Sequence, residues 1–189
     1  MNDFIGVYDN AVGSNDCKSI IKIFEDDSKK YGGSNKGSIG DGNIDPTKKD
    51  CTQLSCSFQY KDIINKILLE ALSKYTTLYV KDNRQLDLLE FWNVDVRYNI
   101  QKYKPKGGYF AEHCENSSNN TSNRMMVWMI YLNTVTDGGG TCFTNYNRIT
   151  DAVEGRLVIW PAFWTHSHHG VVSNTQTKYI ATGWYVYDQ

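Results

Sequence analysis

Apolar and polar positions recur along this chain with two periods, and the period changes once. Between residues 60 and 79, Ile63, Ile64, Ile67, Leu68, Ala71, Leu72 and Tyr75 fall every three or four residues on one stripe. Such a stripe predicts a helix laid on a sheet. A weaker version precedes it. Phe4, Ile5 and Val7 suit a short strand, Ser14 and Asn15 are N-cap candidates, and Cys17, Ile20, Ile21 and Phe24 follow at helical spacing. After the charged stretch KDNRQLD the period drops to two. Val94, Val96, Tyr98 and Ile100 alternate with Asp95, Arg97 and Asn99. Met125–Leu132 (MMVWMIYL) is apolar almost throughout, as in the core of a sheet, and the strand-like runs 156–160 (RLVIW) and 179–187 (YIATGWYVY) follow it. Helices first and then many short strands predict an α+β fold with the strands closed as a sandwich or barrel. No internal repeat is present.

Two stretches break the pattern. Residues 31–52 are rich in Gly, Ser and Asn and read as a long loop. Asp41, Asn43 and Asp45 begin it like a calcium loop, but Pro46 stands where Gly is required and Thr52 where Glu is required, so no such site is expected. Residues 115–123 (ENSSNNTSN) contain N-glycosylation sequons at Asn116 and Asn120 and read as a polar surface loop. Both loops are candidates for a substrate lid.

Composition narrows the class. The chain has 189 residues, about one domain's worth. Lys plus Arg is 20 against 21 Asp plus Glu, which gives no electrostatic case for nucleic acid or an anionic membrane. No apolar run approaches the roughly 20 residues of a spanning helix. MNDFIGVYDNAV has neither the basic nor the apolar region of a secretory signal, so the expectation is a cytoplasmic protein with five reduced Cys. The oligomeric state is not legible.

Only four His are present, and three of them, His166, His168 and His169, lie within four residues. The fourth begins His113-Cys114-Glu115. On an extended strand, residues two apart share a face, so His113 and Glu115 can reach one metal ion while Cys114 points away. A second His from a distant strand completes a two-His-one-carboxylate set, the arrangement of non-haem Fe(II) oxygenases. Downstream, Lys178 opens an aromatic strand. A buried Lys is costly unless it meets an anion, and a dicarboxylate co-substrate would supply one. Two competing readings use the same ligands: a zinc-type hydrolase, against which Lys178 argues, and a non-catalytic metal-binding jelly roll.

The ordered set YKPKGGYFAEHCE (103–115), Arg124, Tyr-Leu-Asn (131–133), Gly-Gly-Gly-Thr (138–141), GRLVIWP (155–161), THSHHG (165–170) and KYIATGW (178–184) resembles the 2-oxoglutarate and Fe(II)-dependent dioxygenases of the prolyl 4-hydroxylase-like type, in the short form that marine bacteriophages carry. The resemblance covers most of the chain. It implies one domain over 1–189, with a helical support region (1–90) packed on one sheet of a double-stranded β-helix, or jelly roll (91–189). It implies that His113 and Glu115 ligate Fe(2+), Glu standing where Asp is usual. His168, ten positions before Lys178, is the favoured second His, ahead of His169 and then His166. By the same resemblance Lys178 binds the far carboxylate of 2-oxoglutarate. Tyr103, Tyr131, Thr182 and Trp184 adjoin the co-substrate, Phe143 and Gly138–Gly140 shape the barrel rim, and Arg156 is structural. The implied reaction consumes O2 and 2-oxoglutarate, releases succinate and CO2, and hydroxylates an unactivated C–H bond of a peptide, protein or small molecule. A prolyl residue is the first candidate, and ascorbate a possible helper.

Overall fold

The computed structural model describes residues 3–30, 35–39, 43–60 and 62–187. In chain order the elements are β1 (Gly6–Tyr8), α1 (Ser14–Lys30), β2 (Asn35–Lys36), β3 (Thr52–Ser57), α2 (Ile63–Asp82), β4 (Trp92–Tyr103), β5 (Arg124–Tyr131), β6 (Thr141–Phe143), β7 (Arg148–Thr150), β8 (Leu157–Pro161), β9 (His168–Gly170) and β10 (Lys178–Tyr187). The apolar run 125–132 now has its reason. β5 lies between β8 and β10 in a seven-stranded antiparallel sheet of order β1-β8-β5-β10-β4-β3-β2, and both of its faces are covered. Met126, Trp128 and Ile130 face the helices, where Ile20 and Phe24 of α1 and Leu68 and Leu72 of α2 meet them. Val127, Met129 and Tyr131 face the other way, into a second core with Phe143, Val158, Trp160 and Ile180. A strand buried on both sides reads as a continuous apolar run, not an alternation.

The second core is closed by a three-stranded sheet of order β7-β6-β9. The two facing antiparallel sheets, with the helices on the outer face of the larger one, are the double-stranded β-helix and its α+β support. The small sheet carries three strands against seven, so part of the inner face of the large sheet stays open.

Local chemistry sets the helix boundaries. Asp62 caps α2, accepting a 2.7 Å bond from the Asn65 amide. Asn65, buried on α2, donates from Nδ2 to the carbonyls of Ser57 and Tyr60 and accepts a 2.6 Å bond from the Tyr98 hydroxyl on β4. This locks the helix to the sheet. Gly183 on β10 makes room for Trp128, whose ring would lie 2.6 Å from a Cβ there.

The helical support region also supplies strands to the large sheet: β1, which overlaps the short strand expected at Phe4–Val7, pairs with β8, and β3 pairs with β4. Two expectations need correction. The loop 31–52 contains β2 and the first residue of β3; Asp41 and the stretch 31–34 lie outside the described residues. Phe143 is not a rim residue; it is fully buried, against Trp160 at 5.3 Å between ring centroids. Arg156 bonds Asp9 at 2.6 Å, a contact that ties β8 to the turn after β1.

Candidate metal centre

His113 and His168 are joined through their backbones. They form an isolated antiparallel bridge, with His113 N donating to His168 O at 3.0 Å and His168 N to His113 O at 2.9 Å. β9 is held in turn by β6, where Phe143 pairs with His168 and Cys142 with His169. Successive residues of β9 point to opposite faces, so His169 turns away from His168. His166 is spent elsewhere: its Nε2 bonds the Asp3 carbonyl at 2.8 Å and its Nδ1 the Thr165 hydroxyl at 3.0 Å. Of the distal trio, only His168 comes together with His113 and Glu115. The strand rationale for His113 and Glu115 does not hold, because 113–115 is not a regular strand. Beyond the one bridge, Glu115 N instead donates to Ala162 O at 3.0 Å.

The ligand-type atoms converge. His113 Nε2 lies 3.4 Å and His168 Nε2 3.8 Å from Glu115 Oε1, and the three atoms all lie within 4.8 Å of one another. Ligands about 2.1 Å from a shared ion at right angles sit about 3 Å apart, so a small inward movement would complete a metal site. The tautomers suit one. His113 Nδ1 bonds the Ala111 carbonyl and His168 Nδ1 the His166 carbonyl, each at 2.9 Å. A carbonyl can only accept, so each Nδ1 carries the hydrogen and each Nε2 presents a lone pair inward.

The surroundings fix the rings and charges. Tyr109 stacks on His113 with centroids 3.6 Å apart and planes at 15°. Trp160 meets the His168 ring edge-on at 5.1 Å. Burial pushes the His168 imidazole down to about 4, and the charge of His113 adds to this. His168 is therefore neutral and ligand-ready at pH 7. Burial alone would raise the Glu115 carboxyl; the cationic surroundings, the Arg124 guanidinium among them, overrule it and hold the group far below the usual carboxylate range.

This cluster opens into a cavity of about 800 Å³ that Tyr103, Lys178, Thr182 and Trp184 also line. Lys178 is 6% exposed, and among the described residues no carboxylate lies within 4.0 Å of its ammonium. Its Nζ sits 4.7 Å above the Tyr103 ring, and burial lowers it to about 8. Tyr103 donates to Gln101 Oε1 at 2.7 Å, and its burial raises the phenol well above its usual value. The Thr182 hydroxyl donates to the Trp128 carbonyl, and Trp184 Nε1 donates to Glu115 Oε2 at 2.9 Å. Tyr131 is set apart: it is fully buried, and its hydroxyl is engaged by the Thr141 and Thr150 hydroxyls, so it backs the cavity wall through Thr141 instead of lining the space.

Several lining groups carry no local sequence signal. Lys49, also buried, donates to the Ser38 carbonyl at 3.0 Å and lies 4.9 Å over Tyr109. Cations outnumber acids in the wall: Lys48, Lys49, Arg97, Arg124 and Lys178 against Glu112 and Glu115. Burial and the paired geometry of these groups arise from tertiary contacts, which periodicity does not report.

Residues 98–186 match the family model of the 2OG-Fe(II) oxygenase superfamily. No curated protein sequence matches the chain. Among solved structures, a Pseudomonas putida prolyl-4-hydroxylase superposes with a TM-score of 0.73 at 16% identity, over 100% of this chain and 95% of the other. The viral collagen prolyl hydroxylase of Paramecium bursaria Chlorella virus-1 gives 0.65 at 14% identity over 98% and 97%. A Trichoplax adhaerens prolyl hydroxylase, solved with a hypoxia inducible factor peptide, gives 0.74 at 15% identity over 98% and 84%. At these identities the likeness is one of fold. Over the matched residues 98–186 the sequence is thus similar to the 2OG-Fe(II) oxygenase superfamily, and the fold is that of the prolyl 4-hydroxylases, with a His-Glu-His cluster at the mouth of the jelly roll.

Proposed function

We propose that the protein, acting as a single unit in the cytoplasm, hydroxylates an unactivated C–H bond, with a prolyl residue of a peptide or protein as the first substrate to test. His113, Glu115 and His168 would hold Fe(II) through two Nε2 atoms and Oε1. Lys178 would bind the far carboxylate of 2-oxoglutarate, with Tyr103 and Thr182 beside it and Tyr131 supporting the wall. Bound Fe(II) supplies the activation of dioxygen, coupled to loss of CO2 from 2-oxoglutarate. In the balanced reaction, one oxygen atom enters succinate and the other becomes the product hydroxyl.

The observation that carries this reading is Lys178: a buried ammonium without a carboxylate partner among the described residues, in the same cavity as the His-Glu-His cluster. A charge in that position costs stability until an anion joins it. The cationic excess of the wall suits a dianion. The protein's part is to orient and shield the reactants. Neutral His168 offers its lone pair, ionised Glu115 offsets the metal's charge, and the Trp160 and Phe143 rings keep water from the inner side.

The test is succinate formation from 2-oxoglutarate with Fe(II) and O2, with and without ascorbate. Mass spectrometry of proline-containing peptides then looks for the gain of one oxygen. Succinate together with oxidised peptide supports the proposal. Iron binding with no succinate across a broad substrate panel would instead favour a non-catalytic jelly roll. Hydrolytic activity with zinc and indifference to 2-oxoglutarate would favour a hydrolase.

A further inference from the structure

Glu115 presents its two carboxylate oxygens to different neighbours. Oε1 faces the imidazoles, 3.4 Å from His113 Nε2 and 3.8 Å from His168 Nε2. Oε2 faces away, accepting 2.9 Å from the Trp184 indole N–H, with the Arg124 guanidinium 3.4 Å off. Arg124 itself lies over the Trp184 ring at 3.7 Å, and it also donates to the Glu115 backbone carbonyl at 3.4 Å. Trp184 is fixed by the β10–β5 ladder, where it pairs with Val127. Two groups, one from β10 and one from the start of β5, thus meet at one oxygen of a carboxylate carried by the loop before β5.

Resting on the reading that Glu115 ligates a metal, the geometry points to Trp184 and Arg124 as positioning residues that adapt a Glu to this ligand position. A Glu has one more rotatable bond than an Asp and a carboxylate about 1.5 Å further from the backbone. Without a restraint, that carboxylate swings among rotamers or turns both oxygens to the ion. Holding Oε2 on the indole N–H leaves Oε1 as the single oxygen directed between the two Nε2 atoms. Partners that orient a ligating side chain commonly govern metal affinity by about 10–100-fold. An Asp at this position would fall about one bond length short of Trp184, so its affinity should not depend on the indole.

The experiment measures Mn(II) binding to the apoprotein without 2-oxoglutarate, by electron paramagnetic resonance, and the visible spectrum of the Co(II) form. Trp184→Phe keeps an aromatic ring beneath Arg124 and removes the N–H, at the cost of the rest of the indole. The expected result is about tenfold weaker Mn(II) binding and a changed Co(II) spectrum, with an unaltered apoprotein melting temperature. Trp164→Phe, at an indole 73% exposed, should change nothing. In a Glu115→Asp background, adding Trp184→Phe should change the Mn(II) affinity by less than about twofold, because the contact is already gone. Equal affinities for the wild type and Trp184→Phe overturn the inference, as does a tenfold loss that persists in the Glu115→Asp background. Should Trp184→Phe fail to fold, Arg124→Met is read instead: about threefold weaker binding supports the inference and unchanged binding overturns it. A wild type that binds no Mn(II) rejects the metal reading itself, a result distinct from these.

Discussion

Lys178→Met should make the apoprotein more stable and weaken its binding of 2-oxoglutarate. Met matches the length of the Lys stem and leaves no large cavity. The magnitude follows from burial, which lowers Lys178 from 10.5 to about 8. Each unit corresponds to about 1.4 kcal/mol, so confining the charged form costs at most about 3 kcal/mol, and less where the open cavity admits water. A gain of about 2 kcal/mol at pH 7 would raise the melting temperature by about 4–8 °C for a chain of this size. The sign is fixed by proton linkage. Between pH 8 and 10.5 the folded wild type has released a proton that the unfolded chain still holds, so wild-type stability rises with pH there and the variant's advantage shrinks. Below pH 8 the advantage is complete. In the same variant, 2-oxoglutarate should bind about 10–100-fold more weakly with Mn(II) present, the loss of a charge-assisted contact. Urea unfolding at pH 7 and pH 10, and calorimetric titration of 2-oxoglutarate, read both effects. A variant less stable than the wild type at pH 7, or one that binds 2-oxoglutarate with wild-type affinity, would refute the reasoning.

Further outcomes follow from the same geometry. His168→Ala should abolish Mn(II) binding while His169→Ala retains it, since His169 turns away across β9; equilibrium dialysis decides between them. Phe143→Ala should cost about 3–5 kcal/mol in urea unfolding and weaken metal binding, because a fully buried ring beside Trp160 and His168 is removed. Asn65→Ala should cost about 2–4 kcal/mol, by stranding the Ser57 and Tyr60 carbonyls and the Tyr98 hydroxyl, yet leave Mn(II) affinity unchanged. Retained stability would show those partners finding water.

The α2 stripe and the long apolar run of β5 were legible because burial dictates residue type at each position, and period follows burial. The strands β1 and β3 were harder. β1 is three residues long, and TQLSCS in β3 carries polar groups because its outer half faces the open cavity. At the site, the pairing of His113 with Glu115 is visible as a spacing, but its cause is not. Backbone bonds from His113 to His168 and from Glu115 to Ala162 set the geometry, not strand alternation. The choice among three clustered His depended on which one β9 turns inward and on the Asp3 carbonyl that engages His166. The Trp184–Glu115 bond spans 69 positions, and no local pattern announces it.

The most direct test of the account is a thermal melt of the wild type with Mn(II) and 2-oxoglutarate, alone and together. 2-Oxoglutarate should stabilise the protein strongly only when Mn(II) is present, His168→Ala should remove the response to both, and Lys178→Met should keep the metal response and lose most of that to 2-oxoglutarate. A wild type that shows no metal-dependent shift with 2-oxoglutarate would contradict the account.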